Sequence, residues 1–349
     1  NFYDLIKNKN IDFSTVFNEI IFQLVNQLDF LFLEHKKAQK IINKIKPKCL
    51  IFQSMAPFNS ANIIFRKVCI DNNIPFAVWT HGGLGLTYSL SVYDVTDFRF
   101  CKNHISYGPY LQDLIKSNNS VLNKLELNKD QKVFPVGSPK FDFDIEKNKA
   151  IHKSTENKKK NILFTVGCGY EKNRFFFGRN RKKFETSLWE FHYEILLLLQ
   201  KHQNKYNIII KDYNTDYSKK KLWKKILKNI NADKILYVSN EENMNSLLNK
   251  SDLNISPWLS TFFFEALHFD ADIFAVEEDM FEELLKDDLI KEIFYFTNNE
   301  AFLKGLEKYL KIGNFYTRKK KNSMNYFLKS DSFNKRDKVL NNSLLEITT

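Results

Sequence analysis

The chain has 349 residues, of which 43% are hydrophobic and 27% charged, and its formal net charge is +12. This composition is typical of a globular protein rather than a disordered one, and the length allows two domains with separate cores. No apolar run is long enough to cross a bilayer, and the positive charge favours an anionic partner such as a nucleotide, a phospholipid surface or nucleic acid.

The first half of the chain begins with a long amphipathic pattern. Apolar residues recur at helical spacing from Val16 to Phe32 and continue to Ile45, which predicts one long helix or two joined helices. We interpret the apolar face as a stripe that packs on a core. Short strands and helices then alternate, which predicts a parallel sheet. The predicted strands are Cys49–Phe52, Pro75–Trp79, Phe98–Cys101, Ile105–Tyr107 and Val133–Val136.

A second α/β half follows a polar, charged segment at residues 145–161, which we interpret as a linker. Its predicted strands are Ile162–Val166, Tyr206–Ile210, Ile235–Val238, Asp252–Ser256, Asp272–Val276 and Phe294–Phe296. The sequence therefore predicts an α/β protein with two Rossmann-like domains facing each other across a cleft. Residues 1–144 form the acceptor-side domain, residues 162–312 form the nucleotide-donor domain, and residues 313–349 form a basic helical tail.

His81 is the predicted general base. It follows a predicted strand and precedes Gly82 and Gly83, so it lies at a sheet edge with room beside the backbone. Imidazole titrates near neutral pH and suits the removal of a proton from an acceptor hydroxyl. The alternative is a structural histidine that caps the turn.

Residues 251–278 read as strand, loop, helix and strand, and they are the predicted donor side of the cleft. Ser260 and Thr261 are suitable N-cap residues for a helix over Phe262–His268, whose free N–H groups could bind a phosphate. Glu265, one turn into that helix, could reach a ribose hydroxyl. As alternatives, the two hydroxyls serve only as caps and Glu265 is a solvated helix residue.

A loop rich in Gly, Arg and Phe follows the strand Ile162–Val166. Gly167 and Gly169 would let the backbone approach a phosphate. Arg174, together with Arg179 and Arg181, could clamp a diphosphate or an acidic acceptor. The alternative for these arginines is an ordinary surface loop.

Several short motifs occur in a fixed order along the chain. They are Trp79–Gly83 (WTHGG), Val136–Asp142 (VGSPKFD), Ile162–Thr165 (ILFT), Ser251–Ser256 (SDLNIS), Leu259–Thr261 (LST) and Glu265–Leu267 (EAL). Their order resembles that of CDP-glycerol glycerophosphotransferases and related surface-polysaccharide enzymes, which have the GT-B architecture. The chain therefore resembles that family over most of its length, and the resemblance implies that Ser138 and Lys140 contribute to nucleotide binding. The family's His-Pro pair is replaced here by Lys211-Asp212. Lys211 could supply positive charge to a phosphate but no imidazole chemistry, which favours sugar transfer over glycerophosphate transfer.

The predicted function is transfer of a sugar from a nucleotide-activated donor to a hydroxyl of a surface glycan, such as a capsule, lipopolysaccharide or teichoic-acid-like polymer. Two alternatives stay open: polyol-phosphate transfer from a CDP-alcohol, and a non-catalytic glycan-binding or scaffold domain. No histidine pair has metal-ligand spacing, so we expect no metal site and no cofactor besides the donor.

The expected partners are the nucleotide-activated sugar and a glycan or lipid-linked acceptor. An anionic membrane surface could attract the basic residues of the tail. Nucleic acid is not expected, because the Lys and Arg residues are spread over linker, loop and tail without a groove-reading helix. The four widely spaced cysteines suit a reducing compartment, and we expect a cytoplasmic protein that is peripheral at the inner face of the membrane.

Overall fold

The fold consists of two parallel sheets with helices packed against them. A computed structural model describes residues 13–53, 60–80, 97–116, 126, 130–138, 141–142, 159–166, 185–212, 217–238, 242–257, 261–276, 292–313 and 333–348. The helices within those ranges are α1 (Phe13–Ile45), α2 (Ser60–Asp71), α3 (Tyr110–Lys116), α4 (Glu185–Lys201), α5 (Tyr217–Asn229), α6 (Met244–Lys250), α7 (Thr261–Ala266), α8 (Asn299–Ile312) and α9 (Phe333–Thr348).

The first sheet contains four parallel strands in sequential order, β1-β2-β3-β4. They are β1 (Leu50–Phe52), β2 (Phe76–Trp79), β3 (Asn103–Ser106) and β4 (Lys132–Pro135). Ala77, Val78 and Ile105 are fully buried, as expected for a parallel sheet that is covered on both faces. All carboxyl ends of these strands therefore lie along one edge.

The second sheet contains six parallel strands in the order β10-β9-β8-β5-β6-β7. They are β5 (Asn161–Val166), β6 (Asn207–Asp212), β7 (Ile235–Val238), β8 (Leu253–Ser256), β9 (Asp272–Val276) and β10 (Phe294–Phe296). The chain builds outward from β5 to β7 and then returns to the other side of β5 with β8. This is the strand order of the doubly wound nucleotide-binding fold, and it reverses direction between β5 and β8.

Alternate residues of the second sheet point to opposite faces, and each face packs in its own apolar cluster. Phe164 and Ile210 face a cluster formed with α4, α5 and α8, whereas Leu163 and Ile273 face a cluster formed with α6 and α7. Helix α8 is well capped, because the Asn298 side chain accepts a hydrogen bond from the backbone of Ala301. Gly313 ends it in the left-handed conformation with φ 71°.

Helix α9 brings the C-terminal part of the chain back to the first sheet. Ile347 is buried there with Ala77, Ile105 and Phe134, and Val339, Leu340 and Leu344 pack against the same cluster. The C-terminal helix thus packs on the first sheet. The predicted basic patch at Arg318, Lys319, Lys320 and Lys321 lies outside the described residues.

Two expectations from the sequence are wrong. Residues 97–100 are helical and do not form a strand. The Cys101 amide donates a helical hydrogen bond to the Asp97 carbonyl, and this turn lets Phe98 pack against Leu111. Among the described side chains, the face of α1 packs on the core at Leu31, Ala38 and Ile42. Nine large apolar side chains between Phe17 and Leu33 are exposed instead. The periodicity therefore predicted an apolar face but not how much of that face the core covers.

Candidate functional site

The candidate site lies where the second sheet changes direction. In an open parallel sheet, ligands bind beyond the carboxyl ends of the strands on either side of such a point. Here those strands are β5, which ends at Val166, and β8, which ends at Ser256. The Thr165 hydroxyl donates to the Ile255 carbonyl at 3.2 Å, which ties the two strands together next to this edge.

Lys211 lies close to the carboxyl end of β6, next to β5. Its side chain is only 2% exposed, and its ammonium donates to the backbone carbonyl of Glu242 at 3.0 Å. Burial lowers the pKa of this ammonium, while the charges of Glu242 and Asp212 act in the opposite direction. The sequence predicted that Lys211 lies near a phosphate. In the structure this lysine is buried on β6, one strand away from the point between β5 and β8 where the strand order reverses.

The neighbouring Asp212 has a structural environment. Its carboxylate is buried and accepts a hydrogen bond from the Trp223 indole at 3.1 Å and from the Tyr237 hydroxyl at 3.5 Å. Burial and the nearby carboxylate raise the pKa of Tyr237, so the phenol stays a donor. Because the residues of β6 alternate in direction, Lys211 and Asp212 lie on opposite faces of the sheet.

Helix α7 follows β8 across the predicted donor loop. Thr261 is its first residue, and Phe263, Phe264 and Leu267 are buried in the α6–α7 cluster. These side chains fix the helix against the same face of the sheet that carries Lys211, and Glu265 is half-buried on it. The helix has six residues, so its macrodipole is small. The structure thus brings Glu265 and Lys211 to the same face of the sheet.

The first sheet contributes the edge at which His81 is predicted. Thr80, the residue before it, is buried, and its amide bonds the Ile105 carbonyl at 3.0 Å. Ser138 follows β4 at the same edge, and its hydroxyl accepts from the Phe141 amide at 3.3 Å. This hydrogen bond gives Ser138 a capping role in this structure. Because one strand separates β2 from β4, the ends of these two strands lie about 10 Å apart.

Aromatic side chains that follow strands of the first sheet pack against the second half of the chain. The sequence analysis did not identify them as part of the site. Tyr110, after β3, and Phe141, after β4, are buried in the α6–α7 cluster of the second half. The Phe141 ring meets the imidazole of His268 edge to face, with 4.8 Å between centroids. The sequence offered one indication of this contact, because Phe141 directly follows the VGSPK motif. The contact joins the predicted acceptor and donor sides.

Several predicted site residues lie outside the described residues: His81, Lys140, Gly167, Gly169, Arg174 and Ser260. Their roles stay predictions that rest on the strands they follow. Within the described ranges, no group of three or more His, Cys, Asp or Glu side chains could hold a metal ion. Of the described helices, none is both long and apolar enough to pass through a membrane.

Comparisons with known proteins support the architecture. No protein-family model matches the sequence, and a comparison with curated proteins gave no match. Among solved structures, the chain resembles S. aureus MnaA with UDP, with a TM-score of 0.55 and 12% identity over 91% of this chain and 79% of that chain.

Two further neighbours have the same arrangement. One is the UDP-GlcNAc 2-epimerase from Neisseria meningitidis bound to UDP-GlcNAc, with a TM-score of 0.56 and 13% identity over 91% of this chain and 81% of that chain. The other is the pneumococcal O-GlcNAc transferase GtfA in complex with UDP and GlcNAc, with a TM-score of 0.54 and 11% identity over 88% of this chain and 59% of that chain. Similarity at this level of identity establishes the fold. The predicted GT-B architecture of two Rossmann-like domains is confirmed, and the finer resemblance to CDP-glycerol glycerophosphotransferases stays a prediction.

Proposed function

We propose that this chain is a GT-B glycosyltransferase that moves a sugar from a nucleotide-activated donor to a hydroxyl of a surface glycan. The observation that carries the proposal is the reversal of strand order between β5 and β8. Both loops that the sequence predicts for donor binding, at Gly167 and Ser260, follow these two strands. Neighbours of the same fold with bound UDP or UDP-GlcNAc support a nucleotide sugar as the ligand.

The proposed chemistry needs one base and a set of positive or hydrogen-bonding groups. His81 removes the proton of the acceptor hydroxyl as the bond to the sugar forms. The buried Lys211 and the loop residue Arg174 stabilise the charge that develops on the leaving diphosphate, and Glu265 binds the ribose. Backbone at Gly167 and Gly169 and the caps Ser260 and Thr261 complete the phosphate contacts, with Ser138 and Lys140 on the acceptor side. No metal is required if these charges suffice.

A second candidate is the epimerisation of a nucleotide sugar. The observation that favours it is the set of neighbours named as UDP-GlcNAc 2-epimerases, from Neisseria meningitidis, Listeria monocytogenes and Methanocaldococcus jannaschii, with TM-scores of 0.56, 0.57 and 0.53. A transferase uses an acceptor and releases the nucleotide, whereas an epimerase changes the sugar of the donor without an acceptor. The product therefore separates the two functions.

The first experiment measures thermal unfolding of the full chain with UDP-, GDP-, CMP- and CDP-activated donors. Tight binding of one donor to the native state should raise the midpoint by several degrees, since a ligand at 100 times its Kd stabilises by about 2.7 kcal/mol. Inorganic pyrophosphate is the control, because a chain with a net charge of +12 attracts any polyanion. If no nucleotide shifts the midpoint beyond the pyrophosphate value, the proposal is wrong and the non-catalytic alternative is favoured.

The second experiment identifies the product by mass spectrometry with the donor that binds. A glycosylated acceptor and free nucleoside diphosphate support the transferase. A donor converted to its epimer supports the second candidate, and release of CMP with transfer of a polyol phosphate supports the CDP-alcohol alternative.

A further inference from the structure

Helix α1 has two halves with different surroundings. Near its C-terminal end, Ala38 and Ile42 are buried against Ile64 and Val68 of α2. Over residues 17–33, which we call the exposed half of α1, large apolar side chains face solvent with 43–64% of their surface exposed. These side chains are Phe17, Ile21, Phe22, Leu24, Val25, Leu28, Phe30, Phe32 and Leu33.

The two halves share one apolar seam. Its members alternate at spacings of four and three residues, which is the a/d pattern of a heptad repeat. They are Phe17, Ile21, Leu24, Leu28, Leu31, His35, Ala38, Ile42 and Ile45. Leu31, Ala38 and Ile42 pack in one cluster with Ile64 and Val68 of α2, and the His35 imidazole lies 3.6 Å from the Asp71 carboxylate. The same seam therefore continues beyond the rest of the fold as a surface shaped to receive another helix.

The exposed side chains on the seam form a continuous apolar strip. Six of the nine lie on the seam or directly beside it: Phe17, Ile21, Leu24, Val25, Leu28 and Phe32. The burial of Val, Leu, Ile and Phe side chains stabilises an interface, so covering this strip with a second helix is favourable. The other three, Phe22, Phe30 and Leu33, face away from the seam.

The charges select the partner. The only ionisable residues between positions 17 and 33 are Glu19 and Asp29, both acidic. A helix that lies on anionic lipid carries Lys and Arg on its polar face, and this segment has neither. No charged residue occupies the seam or the positions that flank it from Phe17 to Leu33. An identical helix can therefore pack there without like-charge repulsion, which makes the surface complementary to itself.

We propose that the exposed half of α1 is a dimerisation surface, which pairs with the same half of α1 in a second copy of this chain. Two seams with a 3.5-residue period pack at a crossing angle of about 20° and bury their a and d side chains between the helices. The C-terminal half of α1 stays on α2 and anchors the pair to the fold. The proposal does not depend on the catalytic one, because no residue of the predicted site lies on α1.

The test measures the mass of the full chain by sedimentation equilibrium across micromolar concentrations. The unsubstituted chain should sediment at twice 41.4 kDa. The variant Leu24→Glu/Leu28→Glu puts two charges into the seam and should weaken self-association by about a hundredfold or more. The matched control, Gln23→Glu/Asn26→Glu, adds the same charge to the opposite face of the same turns and should remain dimeric.

Three results would overturn the proposal. They are a monomeric unsubstituted chain at every concentration, an unchanged dimer in the Leu24→Glu/Leu28→Glu variant, and equal weakening by the control variant. A monomer that binds vesicles of phosphatidylcholine and phosphatidylglycerol would assign the surface to lipid instead. Circular dichroism checks that both variants keep the helical content and the unfolding midpoint of the fold. A seam variant that misfolds is replaced by Leu28→Ala, which removes buried area without adding charge.

Discussion

The ring of Phe141 and the imidazole of His268 meet edge to face, with 4.8 Å between their centroids. Phe141 follows the first sheet and is 1% exposed, whereas His268 follows α7 of the second half. The contact couples the edge at which a base is predicted to the helix that carries Glu265. The packing of Phe141 is therefore expected to hold the two halves in one cooperative unit.

Phe141→Ala should uncouple the two halves. The loss of a buried ring costs about 3–5 kcal/mol, and calorimetry should then show two unfolding transitions in place of one. Phe98→Ala is the matched control, since Phe98 is also buried but its recorded neighbours, Leu111, Ile115, Val133 and the His104 ring, all belong to the first half. The control should be destabilised without splitting. A single transition in Phe141→Ala would contradict this coupling.

The regular elements of the fold could be predicted because apolar strands between turn residues are a local signal. The strand Asp272–Val276 has the predicted bounds, and the strand predicted at Ile162–Val166 begins one residue earlier, at Asn161. Phe98–Cys101 (FRFC) was mispredicted because so short a segment with apolar residues at three of four positions is compatible with a strand and with a helical turn.

The contacts between elements could not be predicted, because they join residues far apart in sequence. Phe141 and His268 are 127 positions apart in the printed numbering (268 − 141) and share no motif. The sequence of α1 likewise did not show which of its apolar residues pack with α2 and which, such as Leu24 and Leu28, stay exposed. The position of the candidate site also needed the structure. Only the strand order shows that the direction of the sheet reverses between β5 and β8, and the sequence does not give that order.

His81→Ala should abolish turnover and leave donor binding intact. A lost general base lowers the rate by roughly 10²–10⁴-fold, while the Kd for the donor, measured by calorimetry, should stay within about twofold because His81 acts on the acceptor. His202→Ala is the control. His202 follows α4 and precedes β6, so it lies at the amino edge of the second sheet, whereas His81 comes after β2 of the first sheet in sequence. Retained turnover in His81→Ala would remove this residue from the mechanism.

Lys211→Met should weaken nucleotide binding without weakening the fold. Methionine keeps the apolar stem and removes the charge, so the Kd for a nucleoside diphosphate should rise about tenfold, or about 1.4 kcal/mol. Stability should be retained, because methionine removes the cost of burying an ammonium together with the hydrogen bond to the Glu242 carbonyl.

Lys224→Met is the matched control for the lysine variant, since Lys224 is exposed on α5. It makes the same change in net charge away from the switch point and should leave the Kd unchanged. Equal weakening in both variants would mean that net charge alone governs binding, and no weakening in Lys211→Met would separate this lysine from the donor.

The fold should lose stability as the pH falls below about 6.5, because two histidines are buried in the neutral form. Burial lowers the pKa of His104 to about 4 and that of His192 to about 3, from an ordinary value of 6.5. His104 donates from Nε2 to Gln131 Oε1 at 2.7 Å and to the Cys101 carbonyl at 3.0 Å, which fixes its neutral tautomer.

Below pH 6.5 the unfolded chain binds protons at these two histidines that the folded chain does not, so the free energy of unfolding falls with pH. By pH 5 each histidine should have cost about 2 kcal/mol. Urea unfolding at pH 7, 6 and 5 measures this dependence. His192→Phe keeps an aromatic ring beside Phe164 and removes one titrating group, so the slope should fall to that of the remaining groups, which include His104 and His202. The comparison uses slopes, so a constant packing change cancels, and an unchanged slope would exclude His192 as a source of the acid sensitivity.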